Sequence, residues 1–417
     1  MDALSEIEAL VACEGRWAGS EGERRAAEHL AGRLHSLGRE VELEPAVVHP
    51  DYPLTYVLHI LLALVGGAAA TRRPKLGAAA LSATIASAFG DSSGRFHLLR
   101  RLTARAVTHN VLSRERSGKA GTLVLLAHYD AAKTGWLFDP KTLQWRVRLS
   151  RRIGIDIGLF EPFVWALEGL LGVALLRALG VRNRVLSAAR VPPMVTLGAH
   201  VPLLLQTRAS EVVPGAADNA SGVAAVLRLA ERHGRRLHHF DLWVLFTGAE
   251  EGLMLGMRAW VRRHRHELDS QRTIFLNLDE AGYGTVRYAT SEGHDVARRN
   301  GPTLSDLCDE IREEDPAGGF DAQPMPELGL ADASLAAQQG YKAIRIACLP
   351  EPTYAPEYHQ PTDTPERLEP AALERAFEFC SQLIERIDER LVVDPVHADR
   401  PHRNGSMRRA ATNARAT

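Results

Sequence analysis

A chain of 417 residues with 45% hydrophobic and 24% charged residues has room for one large α/β domain with insertions, or for two domains, and is too apolar for a disordered protein. Its formal net charge of -1 supplies no global attraction to nucleic acid or to any strongly charged partner. Cys13, Cys308, Cys348 and Cys380 lie far apart and form neither a disulfide framework nor a thiolate zinc site, so a metal would have to be held by imidazole and carboxylate.

Residues 1–16 lack a basic stretch followed by an apolar core, so no cleavable signal peptide is expected. In residues 22–37, Ala26, Leu30, Leu34 and Leu37 recur at helical spacing, and Ser20 ahead of Glu23 resembles a capping box. Residues 40–47 alternate like a strand. Residues 52–71 carry no charge; after Arg72, Arg73 and Lys75 a second uncharged stretch covers 76–90, which makes 52–90 a hydrophobic helical hairpin. Residues 104–113 alternate again. Residues 122–127, a continuous apolar run behind Gly121, predict a buried strand that ends at His128-Tyr129-Asp130.

A second hydrophobic pair follows at 157–176 and 191–207, separated by Arg177, Arg182, Arg184 and Arg190, within an insertion spanning 136–210. A hydrocarbon span needs about 20 apolar residues, so 52–71 qualifies and 76–90 is short. Glu161 and Glu168 are costly at membrane depth. The pairs predict membrane association through 52–90 and 157–207, as two helical hairpins. Buried helices of a soluble cytoplasmic protein, or a re-entrant cap, are the alternative. Basic loops within both pairs favour placing the main domain outside the cytoplasm. Arg146, Arg148, Arg151, Arg152 and the domain ahead of the first span argue the other way.

From Pro214 onward the pattern is regular. It predicts helices at 221–233, 253–266, 303–314, 334–339 and 370–390, and strands at 240–246, 273–278 and 343–347. Such alternation predicts a three-layer αβα sandwich around a mostly parallel sheet. Its N-terminal part is 1–51 and 91–135, and its C-terminal part is 211–390. Residues 391–417, polar and arginine-rich, are expected to be a disordered tail.

In open α/β sheets, reactive groups gather beyond the carboxyl ends of the strands. His128 and Asp130 follow one expected strand, Glu250 and Glu251 the next, and Asp279 and Glu280 a third. Asp218 precedes a helix, and His359 lies in the loop after residues 343–347. Singly, each has a structural explanation: Asp218 could cap its helix, and the glutamate pair could be an acidic turn. Together, two histidines and three carboxylates suit zinc without thiolates, and two close zinc ions would need one bridging carboxylate.

These residues resemble the clan MH zinc exopeptidases of the aminopeptidase Y type. The likeness rests on His128-Tyr129-Asp130, on Pro214-Gly215-Ala216-Ala217-Asp218-Asn219-Ala220-Ser221-Gly222, and on Phe246-Thr247-Gly248-Ala249-Glu250-Glu251. Asn277-Leu278-Asp279, Tyr358-His359 and the opening Arg16-Trp17-Ala18-Gly19-Ser20-Glu21-Gly22 complete it, in the family's order. It implies a zinc peptidase, an aminopeptidase acting on peptides, with two zinc ions. His128 and Asp279 would hold one, Glu251 and His359 the other, and Asp218 would bridge them. Glu250 would be the general base, Asp130 would orient His128, and Tyr358 would donate to the oxyanion. Ala331-Asp332-Ala333 departs from the usual Ser/Thr-Asp-His triplet, and the interval from Asp130 to Asp218 is much longer than usual. That insertion leaves the sheet from the metal-bearing loop, so it is expected to form a wall or lid over the metals. Two other readings keep the fold: a glutaminyl-peptide cyclase with one zinc, and a non-catalytic membrane scaffold or receptor.

Overall fold

Eight strands form one sheet: β1 (Glu42–Val48), β2 (Ala106–Ser113), β3 (Gly121–His128), β4 (Phe240–Thr247), β5 (Thr273–Leu278), β6 (Thr285–Ser291), β7 (Gln323–Pro326) and β8 (Lys342–Leu349). Their spatial order is β1-β2-β4-β3-β5-β8-β6-β7. The computed structural model describes residues 2–154, 157–291, 302–315, 318–326, 331–350 and 355–391; the expected tail lies, from residue 392 on, outside them. The four central strands β4, β3, β5 and β8 are parallel, while β1, β2 and β6 join antiparallel. The mostly parallel expectation therefore holds where the sheet is deepest.

β3 explains the centre. Its apolar run is paired on both sides, Ala127 opposite Phe246 and Leu126 opposite Asn277, so both faces must be buried. Alternate residues go to opposite layers. Leu123, Leu125 and Ala127 pack with α1 (Ala3–Val11), α2 (Glu21–Ser36), α9 (Ser221–His233), α11 (Pro302–Glu313) and α13 (Pro370–Arg390). Val124 and Leu126 pack with α10 (Leu255–His264) and α12 (Asp332–Gln338). The result is a helix–sheet–helix sandwich with the strand ends aligned, β3 at His128 beside β4 at Thr247.

The insertions fold as α3 (Tyr52–Ala69), α4 (Pro74–Ser92), α5 (Pro140–Ile153), α6 (Glu161–Ala178), α7 (Arg184–Ala189) and α8 (Val191–Ala209). The two hydrophobic pairs, read from sequence as separate hairpins, share one core: Ile60 and Ala63 of α3, Leu81 of α4, Leu167 and Leu170 of α6, and Leu197 and Leu204 of α8. Polar contacts join them as well. Arg177 donates to the carbonyls of Ala70 and Thr71 at 3.2 and 3.0 Å, and Arg208 pairs with Asp51 at 2.7 Å. Among the described residues one helix, Tyr52–Ala69, is long and apolar enough to cross a membrane, and 56% of it is buried by its neighbours.

Candidate metal centre

The ends of the parallel strands deliver the predicted ligands to one place. His128 closes β3; Asp279 follows β5; Glu250 and Glu251 lie on the turn after β4; His359 lies on the loop after β8. His128 Nε2 stands 3.2 Å from Asp218 Oδ1 and 3.4 Å from Asp279 Oδ1. His359 Nε2 stands 3.2 Å from Asp218 Oδ2 and 3.4 Å from Glu251 Oε2. Each oxygen of Asp218 thus faces a different imidazole. Glu250 gathers with His128 and Glu251 in a third group, its ligand atoms within 4.8 Å of one another.

Backbone shape contributes to this convergence. Ala249, Glu280 and His359 itself have φ of 53°, 60° and 54°, in the left-handed region that side chains with a Cβ seldom adopt. Such strain persists only where surroundings over-determine it, and it concentrates at working sites.

The surroundings are a set of buried groups that grip backbone. Arg16, 1% exposed, donates to the carbonyls of Tyr129, Leu10 and Gly215 at 2.9, 3.0 and 3.1 Å, tying the His128 loop to the Asp218 loop. Asp363 accepts from the amides of Ala217 and Asp218 at 2.8 and 3.2 Å. Asn219 donates to the Leu278 carbonyl at 2.9 Å and accepts from Glu280 N at 3.2 Å, coupling Asp218 to Asp279. Asp130 accepts from the amides of Glu250 and Glu251 at 3.0 Å each. Its oxygen is 3.6 Å from His128 Nδ1, longer than a hydrogen bond, so its principal grip is on the glutamate turn rather than on the ring.

Glu23 departs from its expected capping role. Ser20 does cap α2, accepting from Glu23 N at 3.0 Å, but the Glu23 carboxylate reaches elsewhere. It accepts from Gly19 N at 2.7 Å, Thr108 Oγ1 at 2.7 Å and Ala249 N at 2.8 Å, holding the residue just before Glu250. Arg345 on β8 places Nε 3.3 Å from Asp279 and a terminal nitrogen 2.6 Å from Glu280. Asp332, the retained member of the altered triplet, is buried and accepts from Thr247 Oγ1.

This much buried carboxylate needs compensation. Burial pushes Glu23 and Glu280 up to about 8, and Asp332 and Asp363 up to about 7. Burial, with further carboxylates nearby, also holds Glu250 and Glu251 well above the carboxylate range. Burial opposes ionisation of Asp218 and Asp279 too. The imidazoles of His128 and His359 overcome it at Asp218, and Arg345 and His128 overcome it at Asp279, so both stay below the usual value. At His128 burial favours the neutral ring, and Asp130, Asp218 and Asp279 outweigh it to raise the pKa well above 6.5.

Divalent cations fit this constellation. Tetrahedral zinc ligands at 2.0–2.1 Å from the ion lie about 3.3 Å from one another. The four imidazole–carboxylate separations, 3.2 to 3.4 Å, match that spacing. The donors are the neutral nitrogens and hard oxygens that zinc takes in the absence of thiolate. Buried Glu251 Oε1 has no hydrogen-bond partner, an orphan that a cation would satisfy.

The insertions form one side of the centre. Phe138, ahead of α5, meets the His359 ring at 4.4 Å between centroids, and its carbonyl accepts from Gln360 at 2.7 Å. Tyr358 stacks on His359 at 3.9 Å and stands edge-on to Phe138 at 5.9 Å. The second insertion therefore begins against the loop that carries His359.

Residues 185–384 match the family model described as Peptidase family M28. The vacuolar membrane protease of Schizosaccharomyces japonicus is 39% identical over 101 residues, and that of Schizosaccharomyces pombe 32% identical over 97. These alignments take in 23% and 22% of this chain but 12% and 11% of those proteins, so the chain spans only a small part of the relatives' length. Among solved structures, the aminopeptidase from Aneurinibacillus sp. strain AM-1 aligns with a TM-score of 0.54 at 14% identity, covering 92% of each chain. Bacteroides thetaiotaomicron glutaminyl cyclase aligns at 0.53 and 13% identity, covering 92% of this chain and 96% of its own. A zinc aminopeptidase from Bacillus subtilis aligns at 0.52 and 14%, covering 92% and 93%. At such identities the structural likeness speaks for the fold. The match to Peptidase family M28 covers residues 185–384, a little under half of the chain, and the metal-binding constellation spans that segment and β3 before it.

Proposed function

We propose that the chain is a zinc aminopeptidase with two ions, one held by His128 and Asp279, the other by Glu251 and His359, with Asp218 shared. The observation that supports this most is that the two oxygens of Asp218 face two different histidines, each with its own second carboxylate. Zinc bound there would supply Lewis acidity to polarise a carbonyl and acidify water near neutral pH. Glu250, biased toward holding a proton by burial, takes one from the attacking water and passes it to the amine as the C–N bond breaks. Asp130 fixes the Glu250–Glu251 turn through its two amide contacts. Tyr358, anchored on the His359 ring, donates a hydrogen bond from its hydroxyl to the carbonyl oxygen as it gains charge.

Glu250→Gln should keep zinc and lower kcat by about a hundredfold or more, since a positioned acid–base group contributes about 10² to 10⁴. Full activity in that variant would sink the assignment. The glutaminyl cyclase reading is tested alongside: one zinc per chain with pyroglutamate formation would favour it, and two zinc with amide hydrolysis would favour the peptidase.

The proposed domain plan is a peptidase domain from 1–51, 91–135 and 211–390, with insertions 52–90 and 136–210. The helical insertions seat the protein at a membrane. They carry exposed apolar side chains on their outer faces, among them Leu61, Leu62 and Val65 on α3 and Val164, Trp165 and Leu175 on α6. So many exposed apolar groups on one body mark a contact surface. Retention of the full chain in the soluble fraction without detergent would count against it.

A further inference from the structure

A cavity of about 330 Å³ lies between α5 and the loop that carries His359. Phe138 and Tyr358 form the wall it shares with the metal centre, since both rings pack directly on His359. The floor is apolar, with Leu143 and Val147 of α5 facing Pro350 and Pro356. Arg148 and Arg151 also line it, one helical turn apart on the same face of α5. Arg148 is exposed and makes no ion pair among the described residues. An apolar pocket with a few convergent polar groups is what a small-molecule subsite looks like, and among the described residues the charged groups in the lining are both guanidinium.

We propose that this cavity is a specificity subsite for a substrate carboxylate, with Arg148 as the principal contact and Arg151 beside it. The structure assigns it to anionic ligands because guanidinium is the side chain best shaped to grip carboxylate, and among the described residues no carboxylate lines the pocket beside Arg148. Two substrates present that chemistry beside a scissile amide: one with an acidic side chain at the cleaved residue, and a short peptide whose free α-carboxylate lies one residue away. The inference rests on the peptidase reading above and narrows it. Residues of the insertion, rather than of the sheet, would set substrate choice. The same α5 arginines, read from sequence as a vote on membrane orientation, would instead serve recognition.

The experiment uses full-chain, zinc-loaded protein and two isosteric substrate pairs. Glutamyl amide against glutaminyl amide tests the side-chain source, and leucyl-leucine against leucyl-leucine amide tests the terminal source. For at least one pair, the kcat/KM ratio of anionic to neutral member should be about tenfold or more, as expected for a charged hydrogen bond. Arg148→Gln should bring that ratio close to one, and Arg148→Lys should restore part of it. Ratios near one for both pairs in the unaltered protein overturn the proposal, as does a preference that survives Arg148→Gln. If the unaltered protein cleaves none of the four, the peptidase reading fails. The subsite is then judged by calorimetric binding of glutamyl and glutaminyl amide: tighter binding of the anion that is lost in Arg148→Gln upholds it, and equal binding refutes it.

Discussion

Arg16 has no place among the ligands, yet two loops of the metal centre hang from it. Replacing it by Met leaves the carbonyls of Tyr129, Leu10 and Gly215 without their donor and removes a cation from a carboxylate-rich interior. Removing one partner of a buried charge network costs about 3–5 kcal/mol, so Arg16→Met should lower the denaturant midpoint markedly. An unchanged midpoint would show that the staple is dispensable. Asp363→Asn is milder: one of the two amides at Ala217 and Asp218 loses its acceptor. Outer contacts of this kind are worth about 10- to 100-fold in metal affinity, measurable by zinc competition with a chelator. These residues also mark where sequence reasoning stops. His128, Asp218, Glu251, Asp279 and His359 were legible because strand ends and local motifs announce them. Asp363 stands only four residues past His359, but nothing local says which amides will come to its oxygens. Arg16 sat inside a recognisable opening motif without any sign that three carbonyls would surround it. Glu23 was read as a cap because its spacing from Ser20 fits one; the tertiary partners Thr108 and Ala249 decided otherwise.

Among the elements, α10 shows how close packing holds the glutamate turn. A Cβ on Gly256 would stand 2.0 Å from the Gly248 carbonyl oxygen and 2.7 Å from Asn110 Oδ1. Asn110 already grips both sides of this contact, accepting from Gly248 N and donating to the Gly256 carbonyl. Gly256→Ala must therefore push the 248–251 turn away from α10. Overpacking of this kind costs about 1–3 kcal/mol, and hydrolysis should fall by more than the stability loss explains. A variant with ordinary kcat and midpoint would contradict the packing argument. Helices α9 and α13, with β5, were read from sequence at their observed bounds because strong periodicity and clear turn residues coincide there. The strands β6 and β7, at one end of the sheet, were not anticipated. Gln323-Pro324-Met325-Pro326 contains two prolines, which a ladder tolerates only at an edge or irregularity, and β7 is such an edge. The hydrophobic pairs were visible as apolar stretches, but their union into one bundle depends on side chains more than a hundred residues apart.

At the scale of the whole molecule, the balance of charge governs how stability responds to acid and to metal removal. In the metal-free protein Glu23, Glu280, Asp332 and Asp363 are raised to between about 7 and 8. The folded state then binds more protons than the unfolded chain across that range, so stability falls as pH rises from about 4.5 to about 8. Asp218 and Asp279, which are lowered, act only below about pH 4. Bound divalent ions offset the carboxylates, so the gap in melting temperature between loaded and chelator-stripped protein should widen between pH 5 and pH 8. Free zinc a hundredfold above its dissociation constant stabilises by about 2.7 kcal/mol. A gap that stays constant or narrows would mean the carboxylates are not the seat of metal binding.

The stitching of both insertions into one bundle by Arg177 and Arg208 has a mechanical outcome. Helices more than a hundred residues apart form one packed body, and Phe138 links that body to the His359 ring. The same coupling makes the halves inseparable: a variant deleted in one insertion would bare the inner face of the other.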